Sequence, residues 1–309
     1  MIKFTLKRLS VAIPTILILI IISFLLMYSA PGGPFTSERP LPEQVLKNIN
    51  AKYGLDQPMY IQMFNYVKGI VTEFDFGPSF RYKDRSVNDI IAQGFPVTLK
   101  YGTWSFIIAV LFGVSLGIIA AIKQNTFLDY FAVGFSISAQ VLPNFVMAPI
   151  LVLIFTLYLG WLPGGGWEGG KIQFVIMPVI ALSTSYLASI ARLTRSSMLE
   201  ILDSEYIRLA RAKGVNWSTV IFKHALRNAL IAPVTSALLI FSGWLNGALV
   251  VEIIFSWPGI GFDALYKAVN DNDFPLLLGT VFVFILIYLI FATLADIAYT
   301  IIDPRVRLN

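Results

Sequence analysis

The stretch FPLLLGTVFVFILIYLIFATLA, residues 274–295, carries no charge, and its reading decides the fold. At 1.5 Å per residue, about 20 apolar helical residues cross the roughly 30 Å of a bilayer's hydrocarbon. A helix is the form that suits such a run, because in lipid every backbone N–H and C=O must be satisfied within its own segment. Similar charge-free runs occupy residues 11–30, 101–122, 130–167, 172–191 and 228–251. The third is too long for one crossing. Gly160, Pro163 and the triplet Gly164-Gly165-Gly166 break its last third, so it reads as one helix over about 129–159 followed by a loop. The expectation is an all-α, polytopic membrane protein of six transmembrane helices.

Composition agrees. Of 309 residues, 57% are hydrophobic and 13% charged, with a mean hydropathy of +0.74. A soluble domain carries roughly 25% charge, so too little is present to coat six buried helices. There is no cysteine and one histidine, His224. That inventory excludes disulfides, cysteine nucleophiles and His/Cys metal sites. The net charge of +5 reflects topology, with no nucleic-acid signature.

Lys3, Lys7 and Arg8 precede the first run, which is longer than a signal-peptide core and reads as a retained first span. The short connections then alternate. One set holds Lys123, Arg192, Arg195, Arg208, Arg211, Lys213, Lys223, Arg227, Arg305 and Arg307; the other holds only Lys171 and Lys267. By the positive-inside rule the first set, with both termini, is cytoplasmic. The chain therefore divides into a cytoplasmic tip and first span (1–30), an outer loop or cap (31–96), a main transmembrane domain (97–302) and a cytoplasmic tail (303–309). Within the outer loop, residues 41–53 read as an amphipathic helix capped by Gly54 and residues 59–72 as a second, with a turn at Phe76-Gly77-Pro78-Ser79.

Some motifs mislead. Gly164–Gly169 satisfies G-x-G-x-x-G, but no strand precedes it, and Ile172 stands where a phosphate loop needs Ser or Thr after Lys171. It reads as a flexible outer turn. His224 has no G-x-S-x-G partner and reads as a surface or interfacial side chain. Asp296, Glu252 and Lys100 lie at span ends, from which each is expected to reach an interface by snorkelling. The lack of mid-span carboxylates argues against proton coupling.

The inner connection 192–227 is the most informative stretch. It contains Glu205-Tyr206-Ile207-Arg208-Leu209-Ala210-Arg211-Ala212-Lys213-Gly214, a helix-favouring segment with small Ala210 and Ala212. Arg208, Arg211 and Lys213 suit a helix C-terminus, and Gly214 ends it by adopting positive φ. Asn216 can cap a following helix in which Trp217, Val220 and Ile221 share a face. On these residues alone, a basic helix lying on anionic lipid and one gripping an acidic partner both stand.

Several motifs in order along nearly the whole chain resemble one family: Ala30-Pro31-Gly32-Gly33-Pro34, Tyr53-Gly54-Leu55-Asp56-Gln57-Pro58, Asp75-Phe76-Gly77-Pro78-Ser79, Phe95-Pro96-Val97-Thr98 ahead of the second span, Tyr206-Ile207-Arg208, Ala210-Arg211-Ala212-Lys213-Gly214, His224-Ala225-Leu226-Arg227-Asn228, Glu252-Ile253-Ile254-Phe255 with Pro258-Gly259-Ile260-Gly261, and Asp303-Pro304-Arg305. The sequence looks like a permease subunit of the peptide-importing ATP-binding-cassette transporters, the OppB/DppB type. Of the wider importer pattern, E-A-A, three residues, Gly, nine residues, I-x-L-P, only Ala210, Gly214 and Leu226 agree. Lys123-Gln124-Asn125-Thr126 and Leu162–Gly166 with Trp167 lean towards the oligopeptide branch.

The resemblance implies a type I ABC importer permease fold in a bacterial inner membrane. The expected partners are a similar second permease subunit, two cytoplasmic ATPases and a periplasmic peptide-binding protein, with peptide as cargo and lipid around the spans. ATP and magnesium would be bound by the ATPases; this chain is expected to need no cofactor and to be no enzyme. Glu205, Tyr206, Arg208, Ala210, Arg211, Ala212, Lys213 and Gly214 would form the ATPase-docking helix. Polar positions on otherwise apolar spans are the pore-lining candidates: Ser136, Ser138, Gln140, Asn144, Ser183, Thr184, Ser185, Ser242 and Asn246. Rival readings are the same family with dipeptide, nickel-chelate or glutathione cargo, a stand-alone secondary transporter, and an intramembrane enzyme, which the lack of a catalytic dyad disfavours.

Overall fold

A computed structural model describes residues 2–29, 47, 50–51 and 54–302; the side chains of residues 2–9, 242–247 and 298–302 fall outside that description. Helices dominate: α1 (Ile2–Ser29), α2 (Met59–Glu73), α3 (Val87–Ile122), α4 (Phe127–Val141), α5 (Asn144–Tyr158), α6 (Ile172–Leu202), α7 (Glu205–Ala212), α8 (Trp217–Ala229), α9 (Ile231–Phe255), α10 (Ile260–Asp271) and α11 (Phe274–Ile302). Four, within α1, α3, α6 and α11, are long and apolar enough to cross a membrane, and three bent pairs raise the number to as many as seven. Six follows when α4–α5 and α9 each count once. Of the amphipathic helix expected at 41–53, only residues 47, 50 and 51 are described, and each is helical; the rest lies outside the described residues. Gly54 does take the capping conformation, φ +66°, with the Leu55 N–H bonded back to Asn50 O.

The third span departs from expectation. It is not one helix over 129–159 but two arms, α4 and α5, bent by 104°. The cause is Pro143. Its ring disfavours the helical region for the residue that precedes it, Leu142, which sits at φ −79°, ψ 110°. Proline has no N–H to orphan, and the amides of Val146 and Met147 restart the ladder on Pro143 O. The second span also differs, because α3 begins at Val87, so Phe95-Pro96-Val97-Thr98 lies inside the helix and not ahead of it.

The chain forms two compact units. In the larger (residues 99–257 and 288–309), helices meet through small residues, as expected where lipid offers no hydrophobic drive between spans. A Cβ on Gly113 would come within 2.9 Å of Leu187 O, and one on Gly117 within 2.5 Å of Ala191 O and 2.6 Å of the Thr194 Cβ. Gly113 and Gly117 thus form a G-x-x-x-G face of α3 lying against successive turns of α6. Ala109, Ile190 and Ala237 close the same seam onto α9, with Phe106 and Phe241 ring centroids 4.6 Å apart.

In the smaller unit (residues 2–98 and 258–287), α1 and α2 meet at Phe24 and Tyr66. The Phe76–Ser79 turn is organised by Asp273, which is fully buried. Its carboxylate accepts from the Ser79 hydroxyl and, at 3.1 Å, from the Phe80 N–H, and Arg81 donates to the Asp271 carbonyl. Gly77 supplies φ +84°. At Gly94, a Cβ would meet Ile260 N at 2.9 Å, while the Ile260 N–H donates to Thr98 Oγ1 at 2.9 Å.

Gly117→Val should destabilise the chain by about 1–3 kcal/mol through overpacking. The measurement is the melting temperature of the purified protein in detergent; an unchanged value would mean that α3 and α6 do not approach so closely.

Candidate functional site

The connection from α6 to α9 folds into two short helices, α7 and α8, packed on the ends of α3 and α6. After Leu202 the chain turns at Asp203-Ser204, with the Ser204 hydroxyl donating back to Ile201 O, and α7 begins at Glu205. Ile207 is the one wholly buried residue of α7. It packs among Ala121, Met198, Val220, Ile221, Ala225 and Ala229, joining α7 to the ends of α3 and α6 and to α8. Removing such a side chain from water contributes about 1.5–3 kcal/mol. Glu205, Tyr206, Arg208, Leu209, Arg211, Ala212 and Lys213 are exposed, and Ala210 is half-buried. The helix therefore presents a basic surface with Leu209, 57% exposed, in its middle.

Its end is closed as expected. Gly214 adopts φ +78°, the Val215 N–H bonds to Ala210 O, and the Gly214 N–H bonds to Arg211 O. The Asn216 side chain accepts from the Ser218 N–H at 3.1 Å, capping α8. Of the face expected on α8, Val220 and Ile221 are buried. Trp217 is exposed, with the Arg211 guanidinium over its ring at 5.0 Å. Tyr206 joins distant parts of the connection: its hydroxyl accepts from Asn228 Nδ2 at 3.0 Å and donates to His224 O at 3.4 Å.

The pore-lining candidates divide by environment. Ser138 and Gln140 on α4 are exposed, whereas Ser136 is buried. On α6, Ser183 is buried and Thr184 half-exposed, their hydroxyls donating to Ile180 O. Ser185 donates to Asn144 Oδ1 at 3.0 Å, so these two meet across α6 and α5. The side chains of Ser242 and Asn246, on α9, lie outside the described residues.

Sequence reasoning missed an ion pair. Asp129, in the first turn of α4 and 2% exposed, receives a bidentate fork from Arg195 on α6, Nε to Oδ1 at 2.6 Å and the second guanidinium nitrogen to Oδ2 at 2.8 Å. The Asn125 N–H adds a third bond at 3.0 Å. The available signal was a carboxylate at the edge of a span in a chain with few charges, which calls for a partner.

Two expectations are corrected on the far side of the same unit. Glu252 does not snorkel. It is fully buried and accepts from the Tyr101 hydroxyl at 2.8 Å, with Trp257 edge-on to Tyr101 and to Trp167. The glycine segment is no free turn either, because the Gly166 N–H bonds to Phe255 O at 2.8 Å and a Cβ on Gly165 would lie 3.1 Å from that oxygen. The carbonyl is available because α9 ends there, with Ser256 left-handed at φ 52°.

A family model described as binding-protein-dependent transport system inner membrane component matches residues 113–308, and one for the N-terminal part of such membrane components matches residues 1–102. The chain belongs to this family. Among its relatives, the oligopeptide transport system permease protein OppB of Salmonella typhimurium is 48% identical over 307 residues, covering 99% of this chain and all of the relative. The dipeptide transport system permease protein DppB of Bacillus subtilis is 40% identical over 309 residues, 100% of this chain and 99% of that one.

Two solved structures share the fold. A chain of the MetNI methionine ABC transporter, in an inward-facing conformation, aligns with a TM-score of 0.60 at 14% identity, over 70% of this chain and 97% of that one. A chain from an amino acid ABC transporter crystallised with histidines aligns at 0.56 and 16%, over 68% and 92%. The type I ABC importer permease fold is thereby the fold of this family member.

Gly214→Pro forces φ to about −65° and removes an N–H donor, opening the α7 terminus. Amide exchange in residues 205–216 should accelerate about tenfold or more, in line with a loss of roughly 1–2 kcal/mol. Exchange at the native rate would show that Gly214 does not close this helix.

Proposed function

We propose that this chain is one of two membrane subunits forming the pathway of an ATP-driven oligopeptide importer in a bacterial inner membrane. The observation that carries the reading is α7, a short helix held by one buried residue, with Arg208, Leu209, Arg211 and Lys213 turned outward. Its setting in a chain 48% identical end to end to an oligopeptide permease supports the same role. The partners are a similar second permease, two cytoplasmic ATPases that bind ATP and magnesium, and a periplasmic peptide-binding protein. Both termini and α7 face the cytoplasm, and residues 31–96 face outward. The stronger likeness to OppB than to DppB favours oligopeptides over dipeptides as cargo.

Mechanically the chain makes and breaks no covalent bond. The basic face of α7 meets acidic surface on an ATPase, and Leu209 fills an apolar notch between the charges. ATP-driven closure of the two ATPases moves the two docking helices together, and the pathway opens outward; hydrolysis returns it inward. Cargo crosses between the two permeases, where Ser138, Gln140 and Thr184 offer hydrogen bonds that any peptide backbone can use. Ser242 and Asn246 are further lining positions on α9. Ser136, Ser183 and the Ser185–Asn144 pair act inside the subunit, joining its own helices.

Arg208→Glu with Arg211→Glu reverses the docking charge. ATPase retention during purification of the assembled complex should fall about tenfold or more, as for charge pairs at an interface. Uptake of labelled peptides of graded length by proteoliposomes should fall with it. Normal ATPase retention and normal uptake would sink the docking role.

The chain has no native cysteine, so Ser138→Cys and Gln140→Cys can be labelled singly. Transported peptide should slow their modification by a water-soluble maleimide about several-fold, by occupying the site. Labelling that peptide never slows removes that position from the pathway.

A further inference from the structure

Movement of α7 is useful only if it reaches the helices that face the cargo, and the covalent chain does not carry it to α4. Between α3 and α4 lies only the link 123–126, and α4 then breaks from α5 by 104°. The face that α4 turns to α6 is made of Ala132, Ser136 and Ala139. Contacts between such small, smooth side chains permit the sliding by which packed helices shear. A shallow recess lined by Leu116, Gly117, Ala132, Ser136, Arg192 and Arg195 opens beside this seam.

Against that background the Asp129–Arg195 fork is the one ion pair described between the two helices; the other directional contact is a long bond, 3.5 Å, from the Ser185 hydroxyl to Ala139 O near the opposite end of α4. A bidentate guanidinium–carboxylate pair has a fixed plane and register, which smooth packing lacks. Its position is specific too. Arg195 stands one helical turn before Met198, and Met198 is part of the buried cluster that receives Ile207 of α7.

We propose that the Asp129–Arg195 pair is the interlock that makes α4 move with α6, so that displacement of the docking helix reaches Ser138 and Gln140. The route runs from α7 through Ile207 and Met198 into α6, across the fork, and up α4. Asp129 and Arg195 are positioning residues in this scheme and touch neither cargo nor ATPase. The inference rests on the docking reading of α7 given above.

The test uses the complete transporter, both permeases with their ATPases and binding protein, in proteoliposomes. Peptide transported per ATP hydrolysed is compared for Asp129→Asn, Arg195→Gln, the double variant and Asp129→Glu. Each single variant should lower that ratio about tenfold, the ordinary size of a coupling between two sites, at unchanged ATPase retention. The double variant should be no worse than either single, because both changes act through one contact.

Asp129→Glu keeps the charge but shifts the register by a methylene; it should assemble and still lose several-fold in transport per ATP. Wild-type ratios in the assembled variants, or additive losses in the double, would overturn the interlock. So would failure of Asp129→Glu to assemble, which would assign the pair to assembly alone. The Arg208→Glu, Arg211→Glu protein separates the two ideas. Normal transport there removes the docking reading itself, whereas loss there beside a normal Asp129→Asn removes only the interlock.

Discussion

Inside hydrocarbon an unpaired backbone amide costs several kcal/mol, and the breaks between the apolar helices among the described residues fall where that cost is avoided. At the break between α4 and α5 the residue that interrupts the ladder is Pro143, which has no amide to strand. At the 44° bend between α8 and α9, Pro233 lies in the first turn of α9, where its missing donor would have had no helical acceptor. At the end of α9 the left-handed Ser256 lets the Trp257 N–H reach back to Glu252 O, and the Phe255 carbonyl is taken by Gly166. The 104° bend and the end of α9 are thus placed where the backbone can be satisfied by other means.

The same accounting governs charge. Asp129, Glu252 and Asp273 are all buried, and each carboxylate is held by donors drawn from a different segment of its own compact unit. Each therefore ties together elements that sequence separates widely. Asp273 gathers the turn at Phe76–Ser79 against the start of α11. Glu252 accepts from α3, and Asp129 fastens α4 to α6. In a chain with so few charges, buried carboxylates serve as the directional fasteners, while glycine and alanine seams supply closeness without register.

That division of labour suits a subunit that has to move. Smooth seams, such as Gly113 and Gly117 against α6, hold helices near one another at little cost to sliding. Charged or hydrogen-bonded ties fix the places where helices cannot slide. The connection α7–α8 repeats the pattern at smaller scale, with one buried isoleucine for attachment and the Tyr206 hydroxyl bonded to Asn228 and to His224 O for register.

Much of this was legible in the sequence. Charge-free runs are local in the chain, so the spans, the long loop after the first of them and the class of protein follow from hydropathy and rise per residue alone. Gly214, Gly54 and Asn216 were readable because caps are set by residues a few positions apart, and the order of short motifs pointed to the family. The tertiary structure decided what depends on distant partners. The span expected as one helix over 129–159 is two arms bent by 104° at Leu142-Pro143, and both arms pack on α6. Glu252 stays buried because Tyr101 reaches it from another helix, and the glycine segment is held by a carbonyl at the end of α9. The Asp129–Arg195 fork spans 66 positions of sequence. Local pattern specifies which segments cross the bilayer, but pairing across such a distance is set by how helices pack, and only folding brings those groups together.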